Sequence, residues 1–266
     1  MWYCGSRGQV EQRVFQLGLA VSSDGKTFRK SPANPVLRFP DAKRSILTPA
    51  LLRSPDGRLL RENGTLRMWF ASARLSHKTS RHTLHETTST DGLHWTPPSP
   101  PQLENAYAPT IIKENNLYKL WYTDVQTDPW TIRSAHSPDG KHWTVRQKPV
   151  LVVDQKWEAG RLLYPTVVKA DGLYLMWYGS YWADHPNKTA IGFAVSRDGL
   201  TWHKHPENPV LRPDPNRPWE SHYTTSQSVL RLDDGTWRIW YASRKKPPFQ
   251  NKYFAINTAT SPTPTP

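Results

Sequence analysis

Four segments of this sequence each place a carboxylate several residues ahead of an apolar run. They are Asp41-Ala42-Lys43-Arg44-Ser45-Ile46-Leu47-Thr48-Pro49, Glu104-Asn105-Ala106-Tyr107-Ala108-Pro109, Trp157-Glu158-Ala159-Gly160-Arg161-Leu162 and Trp219-Glu220-Ser221-His222-Tyr223. Acids brought face to face suit the cleavage of a glycosidic bond. One carboxyl protonates the leaving oxygen and another activates water or attacks. Separations of about 5–5.5 Å give retention and roughly 6.5–9.5 Å inversion. Crowding and burial raise one of the two pKa values into the working range. The competing reading is that each acid pairs with a neighbouring base or caps a turn, and Arg44 and Arg161 are placed to do so. Glu158 is the strongest catalytic candidate of the four; Glu104, Glu220 and Asp41 follow.

The elements that would position these acids repeat along the chain. The clearest unit runs from Leu162 to His205. It contains four short runs rich in β-branched and aromatic residues, with Asp171-Gly172 and Asp198-Gly199 as turns. Asp-Gly between apolar runs signals a hairpin, because a type I′ turn needs positive φ at both central residues. The second run recurs as Met1-Trp2-Tyr3, Met68-Trp69-Phe70, Leu120-Trp121-Tyr122, Met176-Trp177-Tyr178 and Ile239-Trp240-Tyr241. The outer turn recurs as Asp24-Gly25, Asp91-Gly92, Asp139-Gly140 and Asp198-Gly199, each with Ser two residues before it and an aromatic after it. A period of roughly 50–65 residues with four strands per unit predicts an all-β propeller. The five Trp-aromatic runs predict five four-stranded antiparallel blades, filling residues 1–258 as one domain.

The first blade has no inner strand ahead of Met1, so the natural chain, or its ancestor, is expected to begin upstream. Residues 259–266, rich in Pro and Thr, read as a disordered tail. In a propeller the tight turns share one face. The crossovers and the loops between second and third strands share the other, which is where function is expected.

Composition narrows the partners. The 266 residues carry a formal charge of +13 and 13 Trp. Eight Trp are repeat positions expected to pack blade on blade, while Trp130 and Trp182 lie in functional-face loops and could stack a sugar ring. The basic residues are scattered and no nucleic-acid motif appears, so nucleic acid is not expected. A solvated basic surface and an anionic ligand are the remaining readings. Arg74, His77, Lys78, Arg81, His82, His85, Lys188, Arg244, Lys245 and Lys246 fall in the functional-face loops. Arg161, Arg44, Tyr107, Tyr164, His222, Tyr223, Trp182 and Trp130 are the expected substrate-binding residues. Cys4 is alone, which excludes an intrachain disulfide and a cysteine-rich metal site. No run approaches the roughly 20 apolar residues of a membrane helix. No signal peptide is visible, yet a secreted or periplasmic location stays open if the true start lies upstream.

The Trp-aromatic strand, the Ser-x-Asp-Gly-x-x-Trp turn and Trp157-Glu158 ahead of Pro165-Thr166-Val167-Val168 resemble propeller glycosidases of glycoside hydrolase families 43, 32 and 130. The resemblance spans nearly the whole chain, is specific for fold and is weak for substrate. It implies a general acid at Glu158 and a pKa-tuning acid at Glu104, where the family has Asp. The base would fall on the inner strand this chain lacks. Some relatives hold a channel cation with a last-blade His, a position matched by His222; no other cofactor is implied. The turns also resemble the sialidase Asp-box, with one residue fewer. Two functions stay open: an enzyme that hydrolyses or phosphorolyses glycosidic bonds, and a non-catalytic propeller that binds glycans or proteins. Sugar, linkage and oligomeric state are not legible.

Overall fold

The computed structural model describes residues 1–6, 13–75, 81–183, 185–245 and 254–261. Among them the chain is all β, in five successive antiparallel meanders. The first is β1 (Trp2–Gly5), β2 (Gln16–Val21) and β3 (Arg29–Lys30). The second is β4 (Ser45–Leu51), β5 (Arg61–Glu62), β6 (Thr65–Ala73), β7 (Thr83–Ser89) and β8 (Leu103–Glu104). The third is β9 (Ala106–Glu114), β10 (Leu117–Asp124), β11 (Thr131–Ser137) and β12 (Thr144–Val145). The fourth is β13 (Glu158–Ala170), β14 (Leu173–Trp182), β15 (His185–Ser196) and β16 (His203–Lys204). The fifth is β17 (Tyr223–Arg231), β18 (Trp237–Arg244) and β19 (Ala255–Ser261), joined to the fourth by one parallel pair, Thr189 with Tyr223. We read each meander as one blade. Among the described residues the first and the fifth each have three strands, the first beginning at the Trp-aromatic strand β1. β19 runs three residues past the expected end of the domain at 258; residues 262–266 of the expected tail lie outside the described residues.

The tryptophans explain why the meanders stack. Trp2 Nε1 donates to Gly92 O at 2.9 Å, Trp69 to Gly140 O at 3.1 Å and Trp121 to Gly199 O at 2.8 Å. Each therefore clasps the outer turn of the next meander. Trp240 donates to Gly25 O at 2.7 Å, so the fifth meander clasps the first and the ring closes. The turn glycines have φ of 68–78°. A Cβ at Gly92, Gly140 or Gly199 would meet the clasping indole at 2.7–2.9 Å, so only glycine fits on both counts. In each turn the Ser hydroxyl accepts the Gly amide and the Asp Oδ1 accepts the two following amides, as at Ser137 and Asp139. Because packing covers both of its faces, β6 is buried almost throughout, with Thr65 and Arg67 partly exposed.

The second and fifth meanders also touch directly. Half-buried Arg53, just beyond β4, donates to Val229 O at 3.1 Å and Ser228 Oγ at 2.9 Å on β17. The contact ties the second meander directly to the fifth.

Candidate functional site

Each of the four inner strands carries the same irregularity. Two residues oppose one at Thr48-Pro49, Ala108-Pro109, Tyr164-Pro165 and Ser226-Gln227. The residue opposite is the second aromatic of the repeated pair: Phe70, Tyr122, Tyr178 or Tyr241. Thr48, Ala108, Tyr164 and Ser226 sit at φ of 49–52°, a left-handed conformation that non-glycine residues adopt at a cost of about 1–2 kcal/mol. Bulges of this kind re-aim side chains and concentrate at functional sites. Neighbouring inner strands touch around the axis, so the bulges bring their residues together.

Tyr107 and Tyr164 meet hydroxyl to hydroxyl at 2.7 Å, and Tyr164 also hydrogen-bonds to the Ser226 side chain. His82 lies 4.6 Å from the Tyr107 ring, and Trp130 packs edge-on to Tyr107 at 6.2 Å. The Arg161 guanidinium lies 4.5 Å over Trp130. On the other side Tyr181 and Arg244 are within electrostatic range of Tyr164, and Arg244 lies 4.0 Å over the Tyr223 ring. Burial raises the pKa of Tyr107 and Tyr164, so both stay protonated donors at neutral pH. Burial lowers His82 to about 4, leaving it a neutral imidazole. The result is a mouth of aromatic faces, hydroxyls and guanidinium groups. It can stack a ring and donate hydrogen bonds to hydroxyl or carboxylate oxygens.

The four candidate acids are held elsewhere. Glu158, the first residue of β13, has a fully buried side chain. Its Oε1 accepts from Tyr178 Oη at 2.8 Å and pairs with Lys204 Nζ at 2.7 Å. Its Oε2 accepts the Asp154 and Gln155 amides at 2.9 and 3.2 Å. Glu220 repeats the arrangement one meander on, with Arg217 Nη1 at 3.0 Å, Tyr241 Oη at 2.6 Å and Asn257 Nδ2 at 3.1 Å. Both acids hold the tyrosine opposite a bulge, so they support the mouth from behind. Asp41 accepts the Lys43 and Arg44 amides at 2.9 and 2.7 Å and pairs with Arg74 at 3.0 Å. Glu104 is 63% exposed on outer strand β8 and pairs with Arg81 at 3.0 Å. Each of the four acids is thus held in a network of its own. The reading in which each acid pairs with a base or caps a turn describes Asp41, Glu104 and Glu220, and Glu158 joins a buried network with Lys204.

Of the expected binding residues, Tyr107, Tyr164, Trp130, Arg161 and Tyr223 converge on the mouth. Arg44 does not: it holds Ser72 Oγ at 3.1 Å and Thr83 Oγ1 at 2.8 Å. His222 contacts Ser221 Oγ at 3.2 Å, and its backbone joins Arg244 and Thr189 at the junction of the last two meanders. Trp182 pairs with Glu158, packs against the core around Trp157 and lies under Arg212. His85 is buried, bonded to Thr83 Oγ1 at 2.8 Å and Ser99 O at 2.7 Å. His77, Lys78 and Lys246 lie outside the described residues. Tyr181 and Ser226 were not anticipated; the signal for Ser226 is the repeated proline inside three of the inner strands, since proline in a strand marks a bulge. Among the described residues no three His, Cys, Asp or Glu side chains converge as a metal site.

No family model matches the chain. Uncharacterised proteins from two strains of Mycobacterium tuberculosis are 27% identical over 220 residues, covering 76% of this chain and 70% of theirs. Among solved structures, one described as a glycoside hydrolase superposes with a TM-score of 0.74 at 17% identity, over 100% of this chain and 84% of that one. A second, from a complex of BT0996 with RGII, gives 0.76 at 18% over 99% and 83%. A third, a member of the GH130 mannoside phosphorylases, whose description reports hydrolases of β-1,2 mannosidic linkages in Candida mannan, gives 0.72 at 14% over 98% and 80%. The fold is therefore that of the propeller glycoside hydrolases.

Proposed function

We propose that this chain binds an oligosaccharide at the mouth formed by Tyr107, Tyr164, Trp130, Arg161, His82, Tyr223 and Arg244. The observation that carries the reading is the convergence of these side chains on the inner-strand bulges, while Glu158 and Glu220 are buried behind them in structural networks. Aromatic rings stack on the apolar faces of sugars, and the tyrosine and arginine donors suit sugar hydroxyls. The solved structures of this fold include proteins named for carbohydrate ligands and linkages, which agrees with a carbohydrate partner. The engagement of Glu158 with Tyr178 and Lys204, and of Glu220 with Arg217 and Tyr241, favours binding over the paired-carboxylate chemistry of hydrolysis. The second reading, cleavage of a glycosidic bond, is favoured by the fold alone.

A glycan array separates the two readings when followed by mass spectrometry of bound oligosaccharides, with and without phosphate. Retention of intact glycans that Trp130→Ala abolishes supports binding. Release of shortened oligosaccharides or sugar phosphates supports cleavage.

A further inference from the structure

We propose that the mouth selects glycans carrying an anionic substituent, a sugar carboxylate or a sulfate ester, held by Arg244, Arg13 and Arg161; this rests on the carbohydrate-binding reading above. The three guanidinium groups are each laid on an aromatic ring. Arg244 lies over Tyr223 at 4.0 Å and Phe254 at 4.6 Å, Arg13 over Phe15 at 5.5 Å, and Arg161 over Trp130 at 4.5 Å. A guanidinium packed over a ring is restrained in its motion, and its planar fork suits a bidentate grip on a carboxylate or a sulfate. Lysine, with a point charge on a flexible stem, would not give that geometry.

The charges around the mouth favour the same ligand. Arg244 is 3% exposed and close enough to Arg13 for the two like charges to act on each other. An anion lying between them relieves that repulsion. Arg161 meets Asp128 at 3.5 Å, with the Asp128 side chain 72% exposed, and a solvent-exposed pair of this kind is weak enough for a ligand anion to replace. Glu158 and Glu220, which would repel an anion, face away into their own networks. The formal charge of +13 adds a long-range field that draws acidic polymers toward the protein. Tyr107, Tyr164 and Ser226 then supply neutral donors and acceptors for the hydroxyls beside the charged group.

The test is an array of matched pairs: oligogalacturonates beside their methyl esters, and sulfated beside desulfated galactans. Isothermal titration at two salt concentrations follows for the best binder. One acidic member is expected to bind about tenfold or more tighter than its neutral partner, a margin that shrinks as salt rises. The uronate and sulfate arms decide which anion fits. Arg161→Gln, at a half-exposed position, is expected to erode the margin without unfolding the chain; Arg244→Gln is the stronger test if circular dichroism shows it folded. Equal binding of charged and neutral partners would overturn the proposal and leave the carbohydrate site standing. Binding of no glycan in either arm would overturn both.

Discussion

Lys204 Nζ lies 2.7 Å from Glu158 Oε1, and both side chains are shut away from solvent. The two residues come from the first and last strands of one meander, so the pair ties its inner edge to its outer edge. Removing one partner of a buried pair strands the other as an unpaired charge, at about 3–5 kcal/mol. Lys204→Met is therefore expected to lower the urea midpoint sharply, and Lys204→Met with Glu158→Leu to recover much of the loss. Equal stability of wild type and Lys204→Met would show that the pair is not buried as described.

A second set of acids makes the fold sensitive to low pH. Burial pushes the Glu62 carboxyl up, but donors on Lys113, Tyr118 and Arg67 outweigh it and hold the pKa at about 2, against an ordinary 4.5. Glu114 is held at about 2 in the same way, its burial outweighed by Lys119, Lys169 and Tyr174. A carboxylate whose folded pKa is depressed contributes stability that is present above its unfolded pKa and lost as pH falls toward the folded one. The melting temperature should thus hold at neutral pH and fall between about pH 4.5 and 2. A Glu62→Gln, Glu114→Gln double variant should start lower and fall less steeply. Parallel melting curves for the two proteins would contradict this assignment.

The clasp between meanders predicts a graded set of losses. Trp240→Phe removes the hydrogen bond to Gly25 that closes the ring and should cost about 1 kcal/mol or more. Gly140→Ala combines a positive φ with a Cβ 2.9 Å from the Trp69 ring and should cost about 2 kcal/mol or more. Gly172→Ala, also at positive φ but with nothing within 4 Å, should cost less than Gly140→Ala. Chemical denaturation of the three variants orders them; a reversed order for the two glycines would refute the packing argument.

The repeat was legible because turn chemistry is local. Asp-Gly after Ser, and Trp before a second aromatic, declare strand and turn within six residues, and meander follows meander with the same text. The clasp was half legible. Packing of the repeat Trp followed from their count, but their partners, the turn glycines of the next meander, depend on how blades stack. Glu158 shows where local reading stops. Its approach to an inner strand is visible in sequence, whereas Lys204 lies 46 residues away and reaches it only through the antiparallel register of the meander. Arg244 was legible as a functional-face cation, but its seat on Tyr223 comes from the pairing of β17 with β18. The second aromatic of each pair carried information that spacing alone could not assign, since it marks the residue opposite each bulge.

The mouth residues should separate from the fold-supporting ones by what their loss does. Tyr164→Phe removes a hydroxyl shared with Tyr107 and Ser226 and should weaken glycan binding several-fold. Its effect on the melting temperature should be small, because the ring stays in place. A large loss of stability with unchanged binding would place the Tyr107–Tyr164 contact in the core's service rather than the ligand's.

The most direct test of the central claim compares Trp130→Ala with Glu158→Gln in one titration against the best glycan from the array, at low temperature, with both variants shown folded by circular dichroism. The account predicts that Trp130→Ala loses binding at least tenfold, the scale on which base or sugar stacking on an aromatic is measured. Glu158→Gln should bind within about twofold of wild type, as expected for a residue that does not touch the ligand. If folded Glu158→Gln instead abolishes turnover of a glycan that the wild type cleaves, while Trp130→Ala binds normally, Glu158 is the catalytic acid and the site lies elsewhere.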